Sequence, residues 1–583
     1  MKKLFTLLLA MVATGGSLFA QNAGGPDQYG YTWKNNTAAG GPTYNWIDIV
    51  GKPGTTQING LADDNSVGMF PLGFTMKYYW VDVHSIKIGS NGWISFSNLG
   101  NIAHGFPSIP LTDGNANFLA PFLSDLTLEA ASGFTNPGSV HFYTNNVDTA
   151  IVSYVNVPFW QQASPEFTGS NTFQVILTKA DNGITFQYNT MNAVIPNTTT
   201  FNDAVVGIEN ITETIGLQVM VDQVPASNTA IKFERPANSP YQVIDAKANW
   251  VNNDRNGAFT ALKDQPMNLT SNVANVGNVN ISTPIASQTL IIKPGNPVFN
   301  QTVNLPKLRV GTDTTYTLAA AFTPTVEGSY SIQHRLTLTG DANASNNINL
   351  TELVVVDTTG KKREVSLAYN DGTPESLTSF GAAMYYSFPF YPTEVRSIDV
   401  LLGAASGVIT SDNGFNFRIY AENATGGLGA ILFDSTLAPA NIIPNTLTTV
   451  EIPQKQLYMI NSGGVFVSVV PVVPTGATQN TFLLVDTTPP FSFRTFEVHG
   501  GAISAFRTAA SEDFMINVNI GTSILSPMSV SKDRNSLVAS SNIYPNPASA
   551  SATVAYALKD AASVELTLTN IIGSKVRTLN LGK

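Results

Sequence analysis

Apolar side chains recur at every second position through much of this chain, the spacing of a strand with one covered face and one wetter face. Ile86 and Ile88 face one way, Gly89-Ser90-Asn91-Gly92 supplies a reversal, and Ile94 and Phe96 return. Phe173, Val175 and Leu177 lead through Asp181-Asn182-Gly183 to Ile184, Phe186 and Tyr188. Asn-Gly at such a place provides the positive φ that a tight hairpin needs. Further on, Tyr330, Ile332, His334, Leu336 and Leu338 mark a strand, an Asn-rich turn covers Gly340 to Asn347, and Leu350 to Val356 follows. Phe415, Phe417 and Ile419 share a face, and the Val465 to Val470 run reads as a strand buried on both sides. No stretch of the front region offers a long helical stripe. The pattern predicts an all-β chain of β-sandwich modules in tandem.

The tail follows the same grammar. Pro545 and Pro547 bracket Asn546 and forbid helix, since each lacks an amide donor and pushes its predecessor toward extended geometry. Val554, Tyr556 and Leu558, then Val564, Leu566 and Leu568, alternate after it and predict a small β-unit. At the other end Met1-Lys2-Lys3, the apolar Leu4 to Ala13 and Leu18-Phe19-Ala20 before Gln21 have the order of a secretory signal peptide cleaved between Ala20 and Gln21. Its apolar centre is too short to predict a membrane span.

A length of 583 residues exceeds what one core organises and predicts three or four domains. Boundaries fall at 1–20 (signal), 21–235, 236–357, 366–520 and 541–583, with 358–365 and 521–540 as linkers. Only 12% of residues are charged and the net charge is -10, so the basic clusters that nucleic acid requires are missing. Cysteine is absent, which excludes disulfides, a thiolate nucleophile and sulfur-ligated zinc. Stability has to come from sheets large enough to bury their own cores.

Several stretches carry resemblances. Gly30-Tyr31-Thr32-Trp33, Tyr44 to Ile49, Pro71-Leu72-Gly73-Phe74, Ser90 to Phe96, Ala120-Pro121-Phe122 and Val206-Gly207-Ile208-Glu209-Asn210 resemble the nidogen-like β-domain of secreted Bacteroidetes proteins. That implies a fold and an extracellular adhesion context, and no chemistry. Asp341, Asn343 and Ser345-Asn346-Asn347 resemble the CARDB family of adhesion-related Ig-like modules, which implies a spacer. Asp371-Gly372-Thr373-Pro374-Glu375 and Phe514-Met515-Ile516 resemble a jelly-roll-like module. Tyr544-Pro545-Asn546-Pro547-Ala548-Ser549, the two tail strands and Asn570-Ile571-Ile572-Gly573 resemble the C-terminal sorting domain of type IX secretion substrates. Members of that family run on through a Gly-rich turn and a strand ending in basic residues; the sequence stops at Lys583, so the sorting domain is read as truncated. The resemblance implies export through the periplasm, recognition at the outer membrane at Tyr544, Pro545, Asn546, Pro547 and Gly573, and release or surface attachment without insertion into the membrane. It also implies O-glycosylation at Asp-Ser/Thr motifs: Thr149, Thr314, Thr358, Ser435 and Thr487.

Candidate chemistry is sparse. Of five histidines, His334 on its apolar face reads as a hydrogen-bonded core residue, and His141 and His499 stand alone. His84 and His104 lie among Asp82, Asp113 and Asp125, where zinc would be conceivable, but no His-Glu-x-x-His spacing demands it. There is no nucleophile elbow and no phosphate-cradling loop. Two acids from distant strands remain open as a glycosidase pair. Asp63-Asp64-Asn65 offers oxygen ligands for calcium, the one cofactor considered; the alternative is a turn whose carboxylates cap amides. Phe159, Trp160 and Phe167 fall in the Pro158 to Asn171 stretch and either stack on a sugar or a partner, or pack as a lid. The expectation is a non-catalytic secreted or surface protein acting in adhesion or ligand binding, with surface glycans or host matrix proteins as partners. The alternatives are a polysaccharide hydrolase with its site in the jelly-roll-like domain, and a structural subunit of a surface array.

Overall fold

Both front hairpins form in the register their alternation requires, with Ile88 opposite Ile94 and with Phe173, Val175 and Leu177 opposite Tyr188, Phe186 and Ile184. The computed structural model describes residues 22–521 apart from 99, 104, 131–133, 193, 197, 199–201, 254–256, 294, 358–362, 366–373, 377–380, 405–413, 473–480, 500 and 507–511. It also describes residues 538–582 apart from 545–550 and 570–574. Apart from the short 3-10 turns Pro439–Asn441 and Gln454–Gln456, all regular structure in these residues is strand.

The front sandwich packs an eight-stranded antiparallel sheet, centred on Thr149–Trp160, Phe167–Thr178 and Gly183–Thr190, on a six-stranded sheet that includes Ser66–Tyr78, Phe118–Ser124 and Ala204–Glu209. Large aromatics fill the space between, and their polar tips are satisfied by backbone. Tyr154 donates to the carbonyls of Gly89 at 2.7 Å and Trp93 at 3.0 Å, and Tyr188 to Pro121 at 2.7 Å. Because these hydroxyls cross from one sheet to the loops and strands of the other, they fix how the layers sit as well as filling volume.

The middle sandwich sets Ala246–Val251, Thr270–Asn275 and Asp313–Thr317 against a five-stranded sheet in which Phe259–Leu262 runs parallel to Ile348–Val356. Its core is two apolar clusters, and His334 sits fully buried in the sheet that spans them, its Nε2 2.7 Å from Ser287 Oγ. Burial holds that imidazole down to about 4, so it is neutral and structural.

In the third sandwich Phe415, Phe417 and Ile419 are buried on one face as their period predicts, and Val465, Phe466, Val467, Ser468 and Val469 are covered on both sides. Two segments read as linker contain paired strands. Arg363–Val365, read as linker, pairs with Ile516–Gly521, and Val365 is buried: the open edge of that strand needs hydrogen-bond partners, which a polar segment's backbone supplies as well as an apolar one. Val538–Tyr544 begins inside the expected linker and pairs with Thr553–Leu558.

The chain divides into two units, 1–522 and 523–583. Within the first, all three sandwiches touch one another. The Trp80 indole donates to the Val276 carbonyl at 3.0 Å, joining front to middle. The Ala258 amide donates to the Ser492 carbonyl at 2.7 Å, and Thr260 Oγ1 to the Ser387 carbonyl at 3.1 Å, joining middle to third. The Ser66 amide donates to Ser504 Oγ at 3.1 Å across 438 residues of sequence, and Asn101 donates to the Ala505 carbonyl. The middle module therefore does not hold its neighbours apart. In the second unit the hairpins Val538–Tyr544 with Thr553–Leu558 and Glu565–Thr569 with Lys575–Asn580 leave Ile543, Tyr556, Leu568 and Val576 exposed.

Candidate binding cleft at the junction of three sandwiches

The three-way contact forms an open cleft of about 940 Å³ whose wall includes residues of all three sandwiches. From the middle domain, Ala246 and Ala248 point into the core while Lys247 points away, as alternation dictates. A register shift between Ala248 and Trp250 then inserts a residue. Asn249 and Trp250 are consequently both half-buried at the cavity instead of on opposite faces, the usual effect of a bulge. Asn349 Nδ2 donates to the Asn249 carbonyl at 3.0 Å and Asn249 Nδ2 to Asn272 Oδ1 at 2.7 Å, which hold this wall in place.

The front domain contributes an acidic wall. Glu213 stands in a left-handed conformation, φ 60°, and accepts from the Gly114 amide at 2.9 Å. Glu209, at the end of Ala204–Glu209, accepts from the Leu111 amide at 2.8 Å. These two bonds pin the loop that carries Thr112 and Asp113 to the cavity. Burial, with Asp113 and Glu213 nearby, pushes Glu209 up to about 10, so it is protonated at neutral pH. Burial also raises Glu213, partly opposed by Lys247. The third domain adds Thr425 and Gly426, shaped by Asn423 Oδ1 accepting the Thr425 and Gly427 amides at 2.9 Å each, and Phe496, packed edge to face on Phe466. The half-buried Asn249, acids on one side and the two aromatic side chains Trp250 and Phe496 line the cleft.

The residues singled out from sequence lie elsewhere. Phe159 is fully buried, edge to face with Phe122, and is out of reach of any ligand: the strands extend through Trp160 and from Phe167, so the expected loop shrinks to 161–166. Trp160 and Phe167 face each other across that pair of strands, half-buried. At the calcium candidate, Asp64 Oδ1 accepts from Asn91 Nδ2 at 2.7 Å and the Asp63 carbonyl from Ser90, while Asn65 Oδ1 accepts the Ala62 amide at 2.8 Å. His84 is exposed on Val81–Gly89, Asp82 pairs with Lys77 at 2.8 Å, and Asp113 belongs to the cleft. His104 lies outside the described residues. Among the described residues no three His, Asp or Glu side chains gather as metal ligands. Ala20, Gln21, Thr358, Pro545, Asn546, Pro547 and Gly573 also lie outside the described residues, and Tyr544 ends the strand Val538–Tyr544. Thr149, Thr314 and Ser435 are half-buried and Thr487 is exposed. Among the described residues no helix is long and apolar enough to cross a membrane.

Trp250 and Glu213 were not among the sequence candidates. Alternation predicts Lys247 and Asn249 outward and Trp250 inward, and only the bulge reverses Trp250.

The fold is thus that of a modular all-β protein with a shared cleft. Residues 33–242 match the family described as NIDO related, which covers the front sandwich. No curated protein matches the chain. Among solved structures, the CARDB domain of the PF1109 protein from Pyrococcus furiosus, in complex with di-metal ions, is similar at 21% identity over 21% of this chain and 95% of that one, TM-score 0.16. The cysteine protease and lectin-like domains of Cwp84, a surface layer associated protein of Clostridium difficile, are similar at 9% identity over 42% of this chain and 64% of that one, TM-score 0.19. The calcium binding domain CBD12 of CALX1.1 is similar at 16% identity over 34% and 72% respectively, TM-score 0.15.

Proposed function

We propose that this chain is a non-catalytic extracellular or surface-attached protein that captures a polyhydroxylated ligand, a glycan of the cell surface or matrix, in the cleft between its three sandwiches. One observation carries the reading: a cleft of about 940 Å³ whose wall presents Trp250, Phe496 and the half-buried Asn249. Aromatic faces stack on the apolar face of a sugar ring and amides satisfy its hydroxyls. Among the described residues the third domain brings Thr425, Gly426 and Phe496 to this cleft.

The test is a glycan-array and matrix-protein binding screen of the chain from Gln21 onward, with Trp250→Ala alongside. Removing a central aromatic anchor should weaken binding by about 2 kcal/mol, roughly 30-fold. Equal binding by the variant, or no binding by either, contradicts the proposal. Delivery by a type IX route belongs to the same proposal, supported by the tail motif and by the uncovered Ile543, Tyr556, Leu568 and Val576 that a sorting partner could cover. Deleting 541–583 should leave the protein in the periplasm; unchanged surface delivery would contradict that route.

A further inference from the structure

The turn from Asp341 to Asn347 and the residue preceding Ala246–Val251 bring together oxygen atoms that no protein donor satisfies. Asp341 Oδ2 accepts from the Ala246 amide at 2.9 Å, and Asn346 Nδ2 donates to Asp245 Oδ1 at 2.9 Å. Asp245 is therefore beside both Asp341 and Asn346, and the Asn347 side chain and the Asn343 amide hydrogen-bond to the Asp341 carboxylate. The remaining oxygens, Asp245 Oδ2, Asp341 Oδ1, Asn346 Oδ1 and Asn347 Oδ1, are buried with no hydrogen-bond donor. Asp245 is 0% exposed and Asn347 7%. One buried acceptor without a partner costs about 1–3 kcal/mol, a cost that a positive partner shared by these neighbouring side chains would offset.

We propose that Asp245, Asp341, Asn346 and Asn347 bind one divalent cation of the calcium type. The donor set is all oxygen, two carboxylates and two amide carbonyls, which suits a hard cation and not zinc or copper. Two carboxylates balance its charge, and water completes the six to eight ligands that calcium takes. The same turn touches the front domain, where Asn343 Nδ2 donates to the Thr212 carbonyl at 3.1 Å, and Ser345 and Asn346 belong to the cleft wall. Loading the site thus stiffens the joint between front and middle sandwiches. The inference stands independently of what the cleft binds.

The experiment uses the whole mature chain, stripped with EDTA and titrated with calcium chloride by calorimetry, with thermal unfolding and terbium luminescence in parallel. One equivalent should bind and raise Tm. Asp341→Asn, on a half-buried residue, should melt in EDTA near the wild-type temperature and lose affinity about tenfold or more. Asp245→Asn should do the same; if it fails to fold, Asn347→Ala replaces it. Asp63→Asn should bind as wild type does. The proposal is overturned by the absence of both heat and Tm shift up to about 10 mM calcium, beyond the weakest range of extracellular modules. It is equally overturned by an undiminished response in Asp341→Asn, or by a response lost in Asp63→Asn alone.

Discussion

Replacing Asp513 with Asn should make stability fall less steeply between pH 5 and 8. Asp513 is 2% exposed; its Oδ2 accepts the Ser492 amide at 2.9 Å and its Oδ1 the Ser492 hydroxyl. Burial, helped by the charge of Asp486 and opposed by the Ser492 bonds, pushes its carboxyl from 3.8 up to about 7. Glu352 of the middle sandwich faces the same joint, held well above the usual carboxylate range by burial and then by Asp513 and Asp486. For an acid raised in the folded state, the unfolded chain releases its proton first. Stability from this group is therefore complete below about pH 4 and declines as pH rises through about 7. A rise of about three pKa units is worth about 4 kcal/mol in all, of which about 3 kcal/mol falls between pH 5 and 8. Asn keeps the shape and one acceptor, and its Nδ2 can donate to the Ser492 hydroxyl, but it never ionises. Urea midpoints of both proteins at pH 5, 6, 7 and 8 measure the difference directly. The variant should gain on the wild type by about 3 kcal/mol across that range; parallel curves would refute the assignment of a buried, protonated carboxyl at this joint.

Tyr154→Phe removes the hydroxyl that serves the Gly89 and Trp93 carbonyls and should destabilise the front sandwich by about 1–3 kcal/mol, read as a lower Tm; no change would mean those carbonyls find water. Phe159→Ala should cost about 3–5 kcal/mol, while Trp160→Ala should cost less, and the reverse order by chemical denaturation would place the core elsewhere. Gly60→Ala, at φ 90° with its new Cβ 2.4 Å from Ala502, should loosen the contact of front and third sandwiches and raise the radius of gyration measured by solution scattering. Intact-mass measurement of native protein should show added hexose at the exposed motifs, Thr487 first; an unmodified mass rejects all of them.

What the sequence made legible follows from what alternation can encode. Phe173, Val175 and Leu177 against Ile184, Phe186 and Tyr188 set both a register and a covered face, because a slip of one residue would turn all six outward. Phe415, Phe417 and Ile419 did the same for the third domain. Alternation says that a face is covered without saying by what. Val465 to Val470 announced two covered faces, yet nothing in it named the neighbouring sandwich. The contact of Ser66 with Ser504 rests on one backbone amide and one hydroxyl, groups present throughout a Ser-rich chain. The cleft was hidden for a related reason: the bulge at Ala248 to Trp250 reverses one indole, and the left-handed Glu213 that holds Gly114 is an ordinary surface acid by sequence. Likewise Arg363–Val365 looked like linker because an edge strand needs only backbone.

Front and third sandwiches meet directly at Ser66 and Ser504, and a chain with no cysteine allows a clean measurement of that contact. Ser66→Cys with Ser504→Cys, treated with an oxidant or a short bismaleimide, should give an intramolecular cross-link visible as a faster-migrating band, with each single variant unaffected. Free thiols persisting in the double variant under the same treatment would contradict the joint, and with it the shared cleft.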